Sequence, residues 1–304
     1  MRYAFIKELI KQAEKNKNVM LLTADLGYTV VEEFRDKFPD QFINTGVSES
    51  NMIGVAAGLA LSGKIVFAYS IATFATLVPF ESIRNDVCSQ NAHVIIVGSG
   101  AGLSYSDAGP SHHTIEDIAI LRTIPNMNIV APADPTEMKW ATEMAVKLKK
   151  PLYLRLAKKG EPIIYNKKPT LKFGKGSILK TGNDFAIIST GNMVYNSLLA
   201  ANELKDKGFN GTVISMHTLK PVDEKLIKQI CSKFKNVFTI EEHYAIGGLG
   251  SIVSDTITET NLKCKLTKIA LPNIFVKEAG THEFLRNKYN LSPKQIEKTI
   301  RKTL

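Results

Sequence analysis

The chain is expected to fold as an α/β protein of two domains, each a mainly parallel sheet flanked by helices. Apolar runs of strand length alternate with helical periods from the N-terminus onward. The alternation breaks once, into a stretch rich in Lys, Gly and Pro, and then resumes. A length of 304 residues is enough for two separate cores, and 44% hydrophobic with 22% charged residues is an ordinary globular composition.

The elements follow in order. Val19 to Thr23 reads as a buried strand, Phe42 to Asn44 as a second and Ile65 to Ala68 as a third. His93 to Val97, Asn128 to Val130 and Leu152 to Leu156 complete an expected six-stranded sheet. Helices are expected near Phe80 to Ser89, Ile115 to Arg122 and Pro135 to Leu148, and Met1 to Glu8 reads as an amphipathic helix start. After the Lys, Gly and Pro stretch, strands are expected at Phe185 to Ser189, Thr212 to Met216, Val237 to Ile240 and Lys265 to Ala270. The helices between them lie near Tyr195 to Lys207, Glu224 to Phe234 and Ser251 to Thr258. This places domains at residues 1–165 and 181–304, with a linker at 166–180.

The formal charge of +10, from 39 Lys and Arg against 29 Asp and Glu, suits an anionic substrate or partner. The excess is lysine on polar faces without interleaved aromatics, which argues against nucleic-acid binding. Cys88, Cys231 and Cys264 are odd in number and lack paired spacing, so no disulfide framework or zinc site is expected. The first residues lack an apolar signal core and no run approaches a membrane span, so no membrane association and a cytoplasmic location are expected.

Three constellations carry candidate chemistry. Glu49 sits where an apolar strand gives way to the small-residue helix Val55-Ala56-Ala57-Gly58-Leu59-Ala60-Leu61. It is either a helix-start acid complementing the dipole or a reagent in a turn that lets a ligand or another backbone approach closely. The segment from Gly98 to His113 follows a strand end, where open α/β sheets bind ligands, and its Gly109-Pro110 turn presents His112 and His113. The pair suits acid/base work or substrate contact; metal ligation and loop capping stay open alternatives. Phe74 and Phe80 are either core aromatics or the walls of a ring-binding pocket.

Taken in order, Thr23-Ala24-Asp25-Leu26, Gly46-Val47-Ser48-Glu49, Thr73-Phe74, Gly109-Pro110-Ser111-His112 and Leu121-Arg122-Thr123-Ile124-Pro125-Asn126-Met127 resemble transketolase and its relatives. Glu241 to Gly250 is similar to that family's C-terminal domain, so the resemblance spans nearly the whole chain. It implies thiamine diphosphate chemistry. Glu49 would hydrogen-bond the aminopyrimidine ring and favour its imino tautomer, with Phe74 and Phe80 flanking the ring and Leu77 at the place of a second stacking aromatic. Asp25 and Leu26 would approach the cofactor near its thiazolium end, and His112 would contact the donor sugar and help proton movement. Arg2 falls at the family's phosphate-binding arginine by its spacing to Asp25 and Lys158 falls near another basic position; each is either a substrate ligand or a surface charge.

The departures are as informative. The family's Gly-Asp-Gly element, which anchors the diphosphate and its divalent metal, occurs nowhere in this chain. The resemblance therefore implies the C-terminal subunit of a split transketolase, with Mg2+ or Ca2+ held by an N-terminal partner subunit, no metal ligands of its own, and two copies of each chain in the assembly. Ala108 stands where an aspartate recognises a sugar hydroxyl, with Asp107 beside it to compensate, and Gly100 stands where a phosphate-contacting histidine is common. The expected reaction moves a two-carbon ketol unit from a ketose to an aldose. The alternatives are the beta subunit of a 2-oxo-acid dehydrogenase and a non-catalytic scaffold subunit.

Overall fold

The structure, a computed structural model, describes residues 1–158 and 160–304. Twelve strands form two sheets: β1 Val19–Thr23, β2 Phe42–Asn44, β3 Ile65–Ile71, β4 Val94–Ser99, β5 Asn128–Val130, β6 Leu152–Leu156, β7 Ser177–Lys180, β8 Phe185–Ser189, β9 Gly211–Ser215, β10 Thr218–Lys220, β11 Asn236–Tyr244 and β12 Lys265–Leu271. The first sheet runs β10-β5-β6-β4-β3-β1-β2 and the second β12-β11-β8-β9-β7. Every pairing among β1 to β6 is parallel, as the buried apolar runs require, because a parallel sheet has helices on both faces.

Period-two alternation divides the side chains between layers. Val19 and Leu21 of β1 face one core, which the helices Arg2–Lys15 and Pro135–Leu148 cover; Met20 and Leu22 face the other. That second core is continuous with Ala186, Ile188, Ile214 and Met216 of the second sheet, so one apolar layer runs through both units. The helix Arg2–Lys15 buries Phe5, Ile6, Leu9, Ile10 and Ala13, the stripe expected of a 3.6-residue period. Asp134 starts Pro135–Leu148 by accepting from the backbone N–H groups of Thr136 and Glu137 at 2.9 and 2.8 Å.

Four features differ from the sequence expectation. The segment 166–180 does not stay a linker to its end: β7 occupies Ser177–Lys180 and pairs antiparallel with β9. The first sheet has seven strands because β10, from the second half of the chain, pairs antiparallel with β5, Thr218 opposite Val130. The helix expected at Phe80 to Ser89 is one α turn, Phe80–Ser82, continuing as a π-helical stretch, Ile83–Cys88. Two C-terminal helices, His282–Lys288 and Pro293–Thr303, were not anticipated, and the latter packs against the helix Met193–Asp206, adding Ile296 and Ile300 to the core on that side of the second sheet.

Buried charge joins the units. Asp117 accepts from Tyr153 Oη at 2.6 Å and from Arg155 Nε at 2.7 Å, while Arg155 Nη2 donates to the carbonyls of Thr114 and Glu242. Burial opposes ionisation of Asp117, yet the Arg155 charge outweighs it and holds the carboxyl below its ordinary value. Among the described residues no helix is long and apolar enough to cross a membrane.

Candidate active site

Strands β1, β3 and β4 lie side by side, and Asp25, Phe74 and the loop of His112 follow their ends, the edge at which open parallel sheets expose their loops. Glu49 is the first residue of the helix Glu49–Leu61, yet it is only 8% exposed. Ser70, near the end of β3, donates to its Oε1 at 3.0 Å. Ala56 and Ala57 of this helix are buried, whereas Gly54 and Gly58 open to the outside, where an added Cβ would meet nothing within 4 Å. Glu49 is thus a recessed carboxylate behind an open small-residue face. It is flanked in the chain by Val47, 81% exposed, and Ser50 Oγ lies 3.5 Å from the carbonyl oxygen of Val78.

The two neighbouring histidines separate. His113 is buried, neither ring nitrogen has a hydrogen-bond partner among the described residues, and burial lowers its pKa, which keeps it neutral. His112 is half-buried; its ring meets Phe74 edge to face at 5.2 Å and Tyr105 at 5.9 Å, and Ser111 Oγ lies 3.0 Å from its Nδ1. The turn predicted at Gly109 is present, with a φ of +74° that suits glycine, and its carbonyl accepts from the N–H groups of both histidines at 3.1 and 3.3 Å.

A cavity of about 290 Å³ lies beside this cluster, lined among others by Arg2, Leu26, Tyr69, Ser99, Tyr105 and Lys158. Arg2 Nε donates to the Lys158 carbonyl at 2.8 Å, which ties the first helix to the segment after β6. The Lys158 ammonium sits 4.2 Å over the Tyr105 ring and 3.7 Å from Asp107, whose own side chain is 75% exposed. Two cations and several hydroxyls therefore converge on one end of the cleft, a combination suited to an anionic group. Burial raises the pKa of both Tyr69 and Tyr105, so both hydroxyls stay protonated as donors at neutral pH.

The remaining candidates sit at the rim. Asp25 is exposed in a left-handed conformation, φ 54°, and exchanges two hydrogen bonds with Asn44: its N–H to Oδ1 at 2.9 Å and Asn44 Nδ2 to its own Oδ1 at 3.0 Å. Leu77 is 38% exposed, and Phe80 is half-buried with one side against the core. The residues that sequence reasoning missed are Ser70, Tyr69, Ser99 and Tyr105. Tyr105 had a signal: a Cβ on Gly100, at φ +78°, would lie 1.9 Å from Tyr105 Cε2, so that glycine makes room for the ring. The polar residues among the apolar strand ends, Ser70 and Ser99, were a second signal.

Comparisons with known proteins agree over the whole length. Residues 1–161 match the family described as "Transketolase, pyrimidine binding domain" and residues 174–296 the one described as "Transketolase, C-terminal domain". The chain is 33% identical to an apulose-4-phosphate transketolase subunit of Phocaeicola vulgatus, covering 98% of this chain and 95% of that protein. It is 34% identical to the 6-deoxy-6-sulfo-D-fructose transketolase subunit SqwH of a Clostridium species, covering 97% and 92%. A solved structure described as "Split gene transketolase, inactive beta4 tetramer" superposes with a TM-score of 0.89 at 34% identity, covering 99% and 96%.

Proposed function

The chain belongs to the transketolase family as the pyrimidine-binding and C-terminal part of a split, thiamine-diphosphate-dependent enzyme, and from that premise we propose the roles of its residues, its partner and the kind of sugar it handles. The observation that carries the reading is the recessed Glu49 carboxylate, which accepts from Ser70 at 3.0 Å; the edge-to-face contact of Phe74 with His112 accompanies it. The site fits the cofactor's aminopyrimidine: a buried acid for a ring nitrogen, an aromatic at Phe74, and apolar edges at Leu77 and Phe80 that have no complete cover in this chain.

When bound, thiamine diphosphate would supply the electron sink for carbanion chemistry. Glu49 holds the proton relay of the ring, and Ser70 fixes the carboxylate rotamer so that the acid points at one place. Phe74 presents its ring toward the cofactor and at the same time steadies His112 by edge-to-face contact. Asp25 and Leu26 border the cofactor at the end of β1. His112 contacts the donor sugar and moves a proton at its hydroxyl. Arg2 and Lys158 hold the anionic end of the sugar, and Tyr105 occupies the room beside Gly100, keeping the Lys158 ammonium in place. Asp107, paired with Lys158 at the surface, tunes that charge weakly. The named substrates of the two relatives carry a phosphate and a sulfonate, which supports a ketose with an anionic tail.

The diphosphate and its Mg2+ or Ca2+ belong to an N-terminal partner subunit that closes over the exposed face of the Glu49 helix, in an assembly with two of each chain. The beta4 assembly of the relative supports this, since a chain of this kind then pairs with copies of itself in isolation. The test is reconstitution with the subunit that carries the diphosphate-binding half, followed by a ketol-transfer assay with thiamine diphosphate and Mg2+. Activity appears only with both chains and falls by at least about a hundredfold in Glu49→Ala. Wild-type activity in that variant would sink the assigned role.

A further inference from the structure

We propose that Glu242, on the second domain, is a positioning residue for the loop that carries His112. The inference rests on the reading of His112 as a substrate contact. The loop leaves β4 and returns at Thr114, closed at its base by the exchanged backbone bonds of Gly102 and Thr114, 2.8 and 3.0 Å. Beyond that base Lys158 and Phe74 touch it within the first domain, and three further hydrogen bonds join it and its return to the other domain. Leu103 N–H donates to Glu242 Oε1 at 2.8 Å, Gly280 N–H donates to the Ser106 carbonyl at 3.0 Å, and Tyr244 N–H donates to the Ile115 carbonyl at 2.8 Å.

Glu242 is built to hold its place. It is 1% exposed, and besides Leu103 it meets Asn192 Nδ2 at 3.1 Å, His282 Nε2 at 2.9 Å and Arg286 Nε at 2.6 Å. A carboxylate accepting from several fixed donors in a dry setting has one orientation. Burial opposes its charge, but Arg286 and His282 more than offset this and hold the carboxyl well below the usual range, so it is an anion at any pH at which the enzyme works. The loop has a matching accommodation. A Cβ on Gly102, at φ +68°, would lie 2.4 Å from Glu242 Oε1, so only glycine lets the carboxylate rest against this backbone. The second domain thus reaches into the first and sets the height of the His112 loop above the cleft.

Hydrogen–deuterium exchange on the isolated chain separates positioning from mere adhesion between domains. Glu242→Gln speeds exchange in residues 100–113 by about tenfold or more while β4 and β8 keep their protection. In the two-chain enzyme it raises donor KM more than it lowers kcat, with a combined loss of about ten- to a hundredfold, and Glu242→Asp recovers part of it. Should Glu242→Gln not fold, His282→Leu, which removes one donor from a partly exposed helix start, carries the same comparison with a smaller effect. Unchanged exchange in the loop, or an equal rise in loop and sheets, overturns the proposal whatever the activity. A loop that responds while the wild-type complex transfers no ketol unit supports the positioning contact and removes the transketolase reading of His112 instead.

Discussion

Ser70 and Glu49 stand 21 residues apart in the chain, yet Ser70 Oγ donates to Glu49 Oε1 at 3.0 Å and is the carboxylate's hydrogen-bond partner among the described side chains. One residue lies near the end of a strand and the other begins a helix, so sheet geometry sets the orientation of the acid. Ser70→Ala leaves the carboxylate recessed with its donor removed, and we expect a loss of about tenfold in ketol transfer by the reconstituted enzyme, at a cost in stability of about 1–3 kcal/mol. Steady-state kinetics and denaturant titration of the same preparation check both numbers.

At the anionic end of the cleft, Lys158→Gln and Arg2→Gln each remove one charge from the cavity they line together. Each is expected to raise the KM of a phosphorylated or sulfonated ketose by about tenfold with kcat nearly unchanged, because the contact is made in ground and transition state alike. A neutral ketose assayed beside the charged one should show no such difference between wild type and variant.

The Asp117–Arg155 pair makes a prediction about stability alone. Both side chains are at most 4% exposed, so Arg155→Met leaves a buried carboxylate without its cation and should cost about 3–5 kcal/mol. The double variant Asp117→Asn, Arg155→Met should cost less than Arg155→Met by itself, which a double-mutant cycle in urea measures.

Glu137 gives a pH dependence. Its side chain is fully buried between Ala133 N–H, Tyr165 Oη and Ser215 Oγ, and burial pushes its pKa up to about 7 against those donors. The folded chain then keeps a proton that the unfolded chain has released, so stability from this group is greatest below about pH 4.5 and falls as pH rises to about 7. The fall amounts to about 3 kcal/mol. Glu137→Gln should flatten the slope of unfolding free energy between those two pH values; an unaltered slope would refute the assignment.

Much of the fold was legible because parallel strands buried on both faces appear as continuous apolar runs, and all ten anticipated strand segments recur in the two sheets. The short strands β7 and β10 were not legible. Ser177–Lys180 is half-exposed at a sheet edge beside polar residues, and Thr218–Lys220 is three residues long and finds its partner in the other half of the chain. The site divides the same way. Glu49, Phe74 and His112 stand in local motifs and could be singled out, whereas Ser70, Tyr105 and Glu242 owe their places to contacts between segments far apart in sequence, Tyr105 through the Lys158 ammonium over its ring. The two histidines, alike in sequence, are told apart by burial and by the contacts of His112 with Phe74 and Tyr105.

The strand β10 has a further consequence. It lies in the first sheet while its neighbours in the chain belong to the second, and Ala131 N–H reaches the His217 carbonyl at 2.8 Å beside it. Cutting the peptide between residues 161 and 176 would therefore yield two fragments that still travel as one particle, and the halves expressed as separate polypeptides should find each other and complement. Covalent continuity is the least important of the links between them.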